Sequence, residues 1–288
     1  MRVFLTGGTG FVGSHLLNHY LENNNEVTAL KRSNDSKTKI FLKKEPKWIL
    51  GSLNNIKRKH LINHDLLVHL AAHSARPPYD NLHNCILNNV LNPIKLFENA
   101  FNAGIRRFIV AGSCFEYGLS ANAYDKIPPN APLFPVDTYP ASKAMASIAF
   151  IQWAIEKKVS MSIQRLFYVY GEGESQLRFY PSLKNAALKG SNFRISKGEQ
   201  IRDISEVRNS TANLYNESKR IISSKSFDVR INNIGSGNAL SIKDFAIKLW
   251  SSLNAKGKLE VGVLNYRDKE IMRYVPNLEK VHIIHHFK

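Results

Sequence analysis

Strand-like apolar runs stand at positions 3–5, 27–30, 66–70, 108–111, 162–166 and 229–234, and the chain between these runs follows a longer period. Over 90–103, Val90, Ile94, Phe97 and Phe101 recur at three- and four-residue steps, which places them on one face of a helix. Ile148, Ile151, Trp153 and Ile155 mark another long helix. Short apolar runs separated by helices read as strands of a sheet covered on both faces. This alternation predicts an α/β fold, a doubly wound parallel sheet with helices on both faces and right-handed crossovers. Beyond Gly171 the rhythm is less regular, with short segments at 179–181, 193–195 and 259–264. These predict a smaller lobe beside the carboxyl ends of the strands.

With 288 residues, 43% of them hydrophobic, the chain can bury one large α/β core, alone or with a smaller lobe. The first apolar run starts at residue 3 and no run approaches a membrane span, so a cytoplasmic protein without membrane contact is expected. Cys85 and Cys114 are the only cysteines and lack ligand spacing, so neither a disulfide nor a bound metal is expected. The net charge of +17 is compatible with nucleic acid, an anionic surface or small polyanionic ligands. Lysines recur singly or in short pairs, and no aromatic stripe interleaves with the densest cluster, Lys57-Arg58-Lys59-His60. Nucleic acid is therefore not the expected partner, whereas phosphate-bearing small molecules suit the charge.

The run Thr6-Gly7-Gly8-Thr9-Gly10-Phe11-Val12-Gly13 follows the first strand and opens a helix. Its glycine spacing suits a dinucleotide: Gly7 for a sharp turn, Gly10 for approach of a pyrophosphate, Gly13 for close packing of helix on strand. The helix start adds free amides and partial positive charge. Tyr139 and Lys143 stand one turn apart at the start of a helix, with Pro140 tolerated in its first turn. A cation beside a phenol favours the phenolate and makes the tyrosine a usable acid or base. Ser113 ends the strand at 108–111, where its hydroxyl can bond a carbonyl oxygen that gains charge. Taken singly, each motif has an ordinary reading as a strand–helix turn, a surface tyrosine with a solvated lysine, or a turn serine.

In order along the chain stand the glycine turn, Asp65-Leu66-Leu67-Val68-His69-Leu70-Ala71-Ala72, Asn89-Val90, the Ser113 segment and Tyr139-x-x-x-Lys143. Downstream follow Arg165-Leu166-Phe167-Tyr168-Val169-Tyr170-Gly171, Arg202-Asp203-Ile204, Gly235-Ser236-Gly237 and Tyr266-Arg267-Asp268-Lys269-Glu270. In this order the chain resembles, from end to end, the extended short-chain dehydrogenases of the nucleotide-sugar epimerase, dehydratase and reductase branch. The resemblance implies a Rossmann-type sheet with a smaller C-terminal substrate lobe. It places the dinucleotide domain at 1–167 plus about 202–240, and the lobe at about 168–201 and 241–288. It implies catalysis by Ser113, Tyr139 and Lys143. It puts the cofactor against Gly7, Thr9, Gly10, Phe11, Val12, Gly13, Lys31, Arg32, Leu53, Leu70, Ala71, Ala72 and Asn89, with Tyr139 and Lys143. The sugar nucleotide would meet Ser113, Cys114, Phe115 and Tyr168, with Arg202 and Arg267 on its diphosphate. A homodimer is implied as well.

Departures from the pattern refine this. Lys31-Arg32-Ser33 stands where NAD-using relatives commonly place an acid, which favours NADP (NADPH), with NAD as the alternative. Ser52 replaces a further acid near the adenine. Cys114 and Phe115 replace the Asp-Glu pair of dehydratases and cannot carry out that elimination, and Glu116 reads as structural. Tyr168 replaces the usual asparagine. The expected activity is NADPH-dependent 4-ketoreduction of a nucleoside-diphosphate 4-keto-6-deoxyhexose, as in CDP-abequose and CDP-paratose synthases of surface-polysaccharide (lipopolysaccharide, O-antigen type) pathways. The alternatives are an NAD-dependent 4-epimerase and a non-catalytic NADP-sensing protein.

Overall fold

The computed structural model describes residues 1–268 and 270–287. Its central sheet has eight strands. β1 (Arg2–Thr6), β2 (Glu26–Lys31), β3 (Lys47–Leu50), β4 (Leu66–His69), β5 (Arg107–Ser113) and β6 (Ser160–Leu166) are all parallel, in the spatial order 3-2-1-4-5-6. The strand Phe227–Ile234 continues the sheet parallel to β6, and His282–Phe287 closes that edge antiparallel. The strand order reverses between β1 and β4, which opens a crevice at their carboxyl ends where such sheets take ligands.

Among the described residues seven helices surround the sheets: α1 (Phe11–Glu22), α2 (Leu82–Ile86), α3 (Asn92–Asn102), α4 (Thr138–Lys157), α5 (Phe179–Lys189), α6 (Val207–Ser223) and α7 (Ile242–Ser252). A π-helical turn, Leu87–Leu91, joins α2 to α3. On one face of the sheet Phe97, Phe108, Phe150 and Trp153 interlock, with ring centroids 4.9 Å apart for Phe97–Phe150 and 5.1 Å for Phe108–Trp153. On the other, Leu16, Leu17 and Tyr20 of α1 meet Leu214 and Ile221 of α6. The periodic positions Phe97 and Trp153 read from the sequence thus form the core. α4 starts where the Asp137 side chain accepts the Thr138 amide at 2.7 Å, and it ends where Lys158 turns left-handed.

Two smaller sheets lie beyond β6 in the chain. Ile201–Glu206 pairs with Tyr168–Tyr170, Ala239–Ser241 and Arg273–Tyr274, and Phe193–Ile195 pairs with Leu259–Val261. Three segments differ from expectation. Ile201–Glu206 lies in a small sheet and not with the dinucleotide domain, because its hydrogen bonds are taken by those lobe strands. His282–Phe287 leaves the lobe and pairs along Phe227–Ile234, whose edge would otherwise be open. The segment at 179–181 opens an eleven-residue helix, α5. β3, with only half-buried Trp48 and Ile49, carries too weak an apolar pattern to be read from sequence.

Candidate active site

β1 ends in a turn at Gly7, where φ is +79° and favours glycine. A Cβ there would lie 2.6 Å from the Ala71 nitrogen, so the segment Leu70–Ala71 beyond β4 presses directly on the turn. At Gly13 a Cβ would meet the Gly7 carbonyl at 1.9 Å, so α1 seats on the turn only with glycine at this place. Gly10 differs: a Cβ there would touch only the Gly7 carbonyl, at 3.1 Å, and the residue is exposed. No side chain caps α1, which leaves its first amides, around Phe11 and Val12, for an anion. Thr9 is half-buried in the same turn and Ala72 is exposed at the rim. Thr6 Oγ1 lies 2.8 Å from His69 Nδ1 and ties β1 to β4. Burial, then the charge of Lys143, pulls the His69 imidazole down to about 3 and keeps it neutral. These residues fit the pyrophosphate of a dinucleotide.

At the carboxyl end of β2 a cavity of about 540 Å³ is lined by Lys31, Lys37, Lys39, Trp48, Glu45 and Glu172, among others. Lys31 Nζ sits 5.4 Å from the centre of the Trp48 ring, and Trp48 Nε1 donates to Glu45 at 2.7 Å. Arg32 is exposed and does not line this cavity. Leu53 packs against the core, and the Ser52 hydroxyl donates to Asn55 at 2.7 Å. Asn89 also departs from its expected role. Its Oδ1 accepts the His73 amide at 2.7 Å while its Nδ2 donates to the His73 carbonyl at 3.1 Å and to Ser142 Oγ at 2.9 Å. The side chain is spent on fixing the loop after β4 to α4.

At the reaction end, β5 delivers Ser113 and the first two turns of α4 deliver Tyr139 and Lys143, all buried. Lys143 Nζ donates to the Ala111 carbonyl at 2.7 Å, two residues before Ser113, which brings α4 and β5 together at this point. Ser113 Oγ accepts the Phe115 amide at 3.2 Å. Tyr79 stacks on Tyr139 with centroids 5.5 Å apart. The expected lowering of the phenol by Lys143 is not what the surroundings produce. Burial pushes the Tyr139 phenol up, and the charge of Glu116 adds to this. Burial also pulls Lys143 down.

Around this centre lie Cys114, buried and pushed up to about 12 by desolvation, and half-buried Phe115. Phe115 meets Tyr168 and Tyr274 edge-on at 5.7 and 6.0 Å. Arg202 is not free to grip a diphosphate. Its guanidinium lies 5.3 Å from the Tyr168 ring and 5.5 Å from the Tyr274 ring, and is bonded to Glu270 at 2.5 Å and to the Ile271 carbonyl at 2.6 Å. Arg267 is exposed, and Lys269 of the same motif lies outside the described residues. Arg178, immediately before α5, was not anticipated. Its charge acts on Tyr79, Cys114 and Tyr139, and it donates to the Ala75 carbonyl at 3.4 Å. An arginine at a helix start carries no sequence signal for this role, because α5 brings it to the site from another part of the chain.

Residues 3–211 match the model of the NAD dependent epimerase/dehydratase family. The chain belongs to that family. Its central sheet is the Rossmann-like sheet of the extended short-chain dehydrogenase type. It is 25% identical over 298 residues to CDP-abequose synthase of Salmonella typhimurium, covering 96% of this chain and 89% of that protein. It is 25% identical over 284 residues to a probable UDP-arabinose 4-epimerase 3 of Arabidopsis thaliana, covering 85% of this chain; the match spans 66% of that epimerase's length. Among solved structures, MoeE5 in complex with UDP-glucose and NAD superposes with a TM-score of 0.81 at 25% identity, covering 97% of this chain and 90% of that one. Among the described residues no helix is long and apolar enough to cross a membrane.

Proposed function

We propose that this family member is an NADPH-dependent 4-ketoreductase acting on a nucleoside-diphosphate 4-keto-6-deoxyhexose of surface-polysaccharide type. The observation that carries the reading is the lysine-lined cavity at the end of β2, where Lys31, Lys37 and Lys39 suit a ribose 2′-phosphate. An exchangeable NADPH suits net reduction better than a closed epimerase cycle. Cys114 and Phe115 offer no acid pair for dehydration. The likeness to CDP-abequose synthase supports the substrate class.

The dinucleotide supplies a hydride when bound. Tyr139 donates its proton to the carbonyl oxygen, and Ser113 donates a hydrogen bond to the same oxygen as charge gathers there. Lys143 holds the ribose end and carries positive charge close to the phenol. Arg178 and Arg267 offer guanidinium forks to the diphosphate. The small sheets and α5 form the sugar-binding lobe, and the enzyme works as a homodimer in the cytoplasm.

A panel of CDP-, dTDP-, GDP- and UDP-linked 4-keto sugars, followed by nicotinamide absorbance with NADPH and NADH, tests the reading. The expected result is stoichiometric NADPH oxidation with one of them. Tyr139→Phe should abolish turnover and leave NADPH affinity within about twofold; retained turnover refutes its assigned role. The likeness to UDP-arabinose 4-epimerases favours a second reading, 4-epimerisation. Its signature is NAD that copurifies with the protein and no net oxidation of NADPH.

A further inference from the structure

The Glu116 side chain is wholly buried at the junction of the elements that build the reaction centre. Oε1 accepts the Ser113 amide at 2.7 Å. Oε2 accepts the Ser147 hydroxyl and Arg165 Nε, each at 2.7 Å. Ser113 ends β5, Ser147 lies one turn beyond Lys143 on α4, and Arg165 belongs to β6. Arg165 Nη1 in turn donates to Tyr117 at 3.0 Å and to the Pro129 carbonyl at 2.9 Å. Gly112 makes room for the pair: a Cβ there would lie 2.8 Å from Arg165 Cγ and 2.9 Å from Glu116 Oε1. Buried ion pairs are often replaceable by apolar residues at no loss of stability, so stability alone does not account for this one.

Lys143 supplies a reason. Its ammonium is buried and bonds only a neutral carbonyl, that of Ala111. Burial favours the neutral amine, and the charge of Glu116 opposes it. The other titratable groups at the centre are His69 from β4, Cys114 and Tyr139, all held uncharged by burial, with Tyr79 from the loop before α2 and the cation Arg178 before α5. The other carboxylate nearby, Asp137 at the start of α4, acts with Arg267 on Tyr79, whereas the charge that acts on Lys143 is that of Glu116.

We propose that Glu116 is a positioning residue of the reaction centre: it holds the Ser113 main chain to α4 and supplies the counter-charge that keeps Lys143 an ammonium. The inference rests on the reductase reading of Ser113, Tyr139 and Lys143 and deepens it. The same carboxylate resists ionisation of Tyr139, so the phenol waits as a proton donor, the form that reduction consumes.

Titration of Lys143 by NMR in ¹³Cε-lysine-labelled protein, assigned with Lys143→Arg, tests this without substrate or dinucleotide. In Glu116→Gln the amide still accepts from Ser113 but the charge is gone, and the Lys143 midpoint moves down by about one pH unit. An unchanged midpoint in a variant with native circular dichroism overturns the counter-charge. Where Glu116→Gln strands Arg165 and does not fold, Glu116→Gln with Arg165→Met is compared with Arg165→Met alone, so that only the carboxylate differs; an equal Lys143 midpoint in the two overturns the counter-charge. Ser147→Ala keeps the charge and cuts the tie to α4. There the Lys143 midpoint stays while kcat for ketone reduction falls about tenfold at unchanged KM for NADPH; full turnover overturns the positioning role. If the wild type reduces none of the 4-keto sugars, the reductase reading fails alone, and the Lys143 midpoints still decide this proposal.

Discussion

Glu174 sits in the loop between Tyr170 and α5, with one carboxyl oxygen buried and unpartnered, and burial pushes it up to about 7. A carboxyl whose folded value lies above its unfolded one contributes stability below the unfolded value and loses it as pH rises through the folded one. Glu174 therefore weakens the fold between about pH 4.5 and 7. Glu174→Gln should raise the melting temperature by a few degrees at pH 8 and leave it unchanged at pH 4.5; an equal gain at both would show that the charge is not the cause. Side chains of this kind were invisible in the sequence. Tyr139, Lys143 and Ser113 are legible as a candidate set because of their spacing and strand-end placement. Arg202 was legible as a motif but not as a residue sandwiched between two tyrosine rings and held by Glu270.

The turn from β1 into α1 is the element on which the proposed dinucleotide binding depends. Gly13→Ala drives a methyl group into the Gly7 carbonyl, so the helix must move off the turn. Overpacking of this kind costs up to about 3 kcal/mol. Calorimetric titration should show NADPH affinity down by about tenfold or more, in a protein that melts earlier. Normal affinity would mean that α1 relaxes without disturbing its free amides. The glycine spacing made this element readable, as a run of three- and four-residue steps made α3 and α4 readable. The π-helical turn Leu87–Leu91, which carries Asn89, has no comparable signature. Its form follows from bonds made across the molecule to His73 and Ser142.

The net charge of +17 gathers function only where folding concentrates it. Lys31, Lys37 and Lys39 face one cavity, although Glu45 and Glu172 temper it. NADPH should bind about tenfold more tightly than NADH at low salt, the difference shrinking as ionic strength rises from about 50 to about 300 mM. Equal affinities at low salt would remove the 2′-phosphate from the reading. Apolar periodicity sufficed for the parallel sheet and its helical layers, and residue spacing for the candidate dinucleotide turn and the candidate Ser-Tyr-Lys set, because these are local patterns. The edge strand His282–Phe287, the clamp at Asn89, the burial of Arg202 and the junction at Glu116 depend on partners far along the chain, 16 residues away for Asn89–His73, 49 for Glu116–Arg165 and 68 for Arg202–Glu270. Charge state and hydrogen bonding there follow from what folding packs around a group, and no local pattern records that environment.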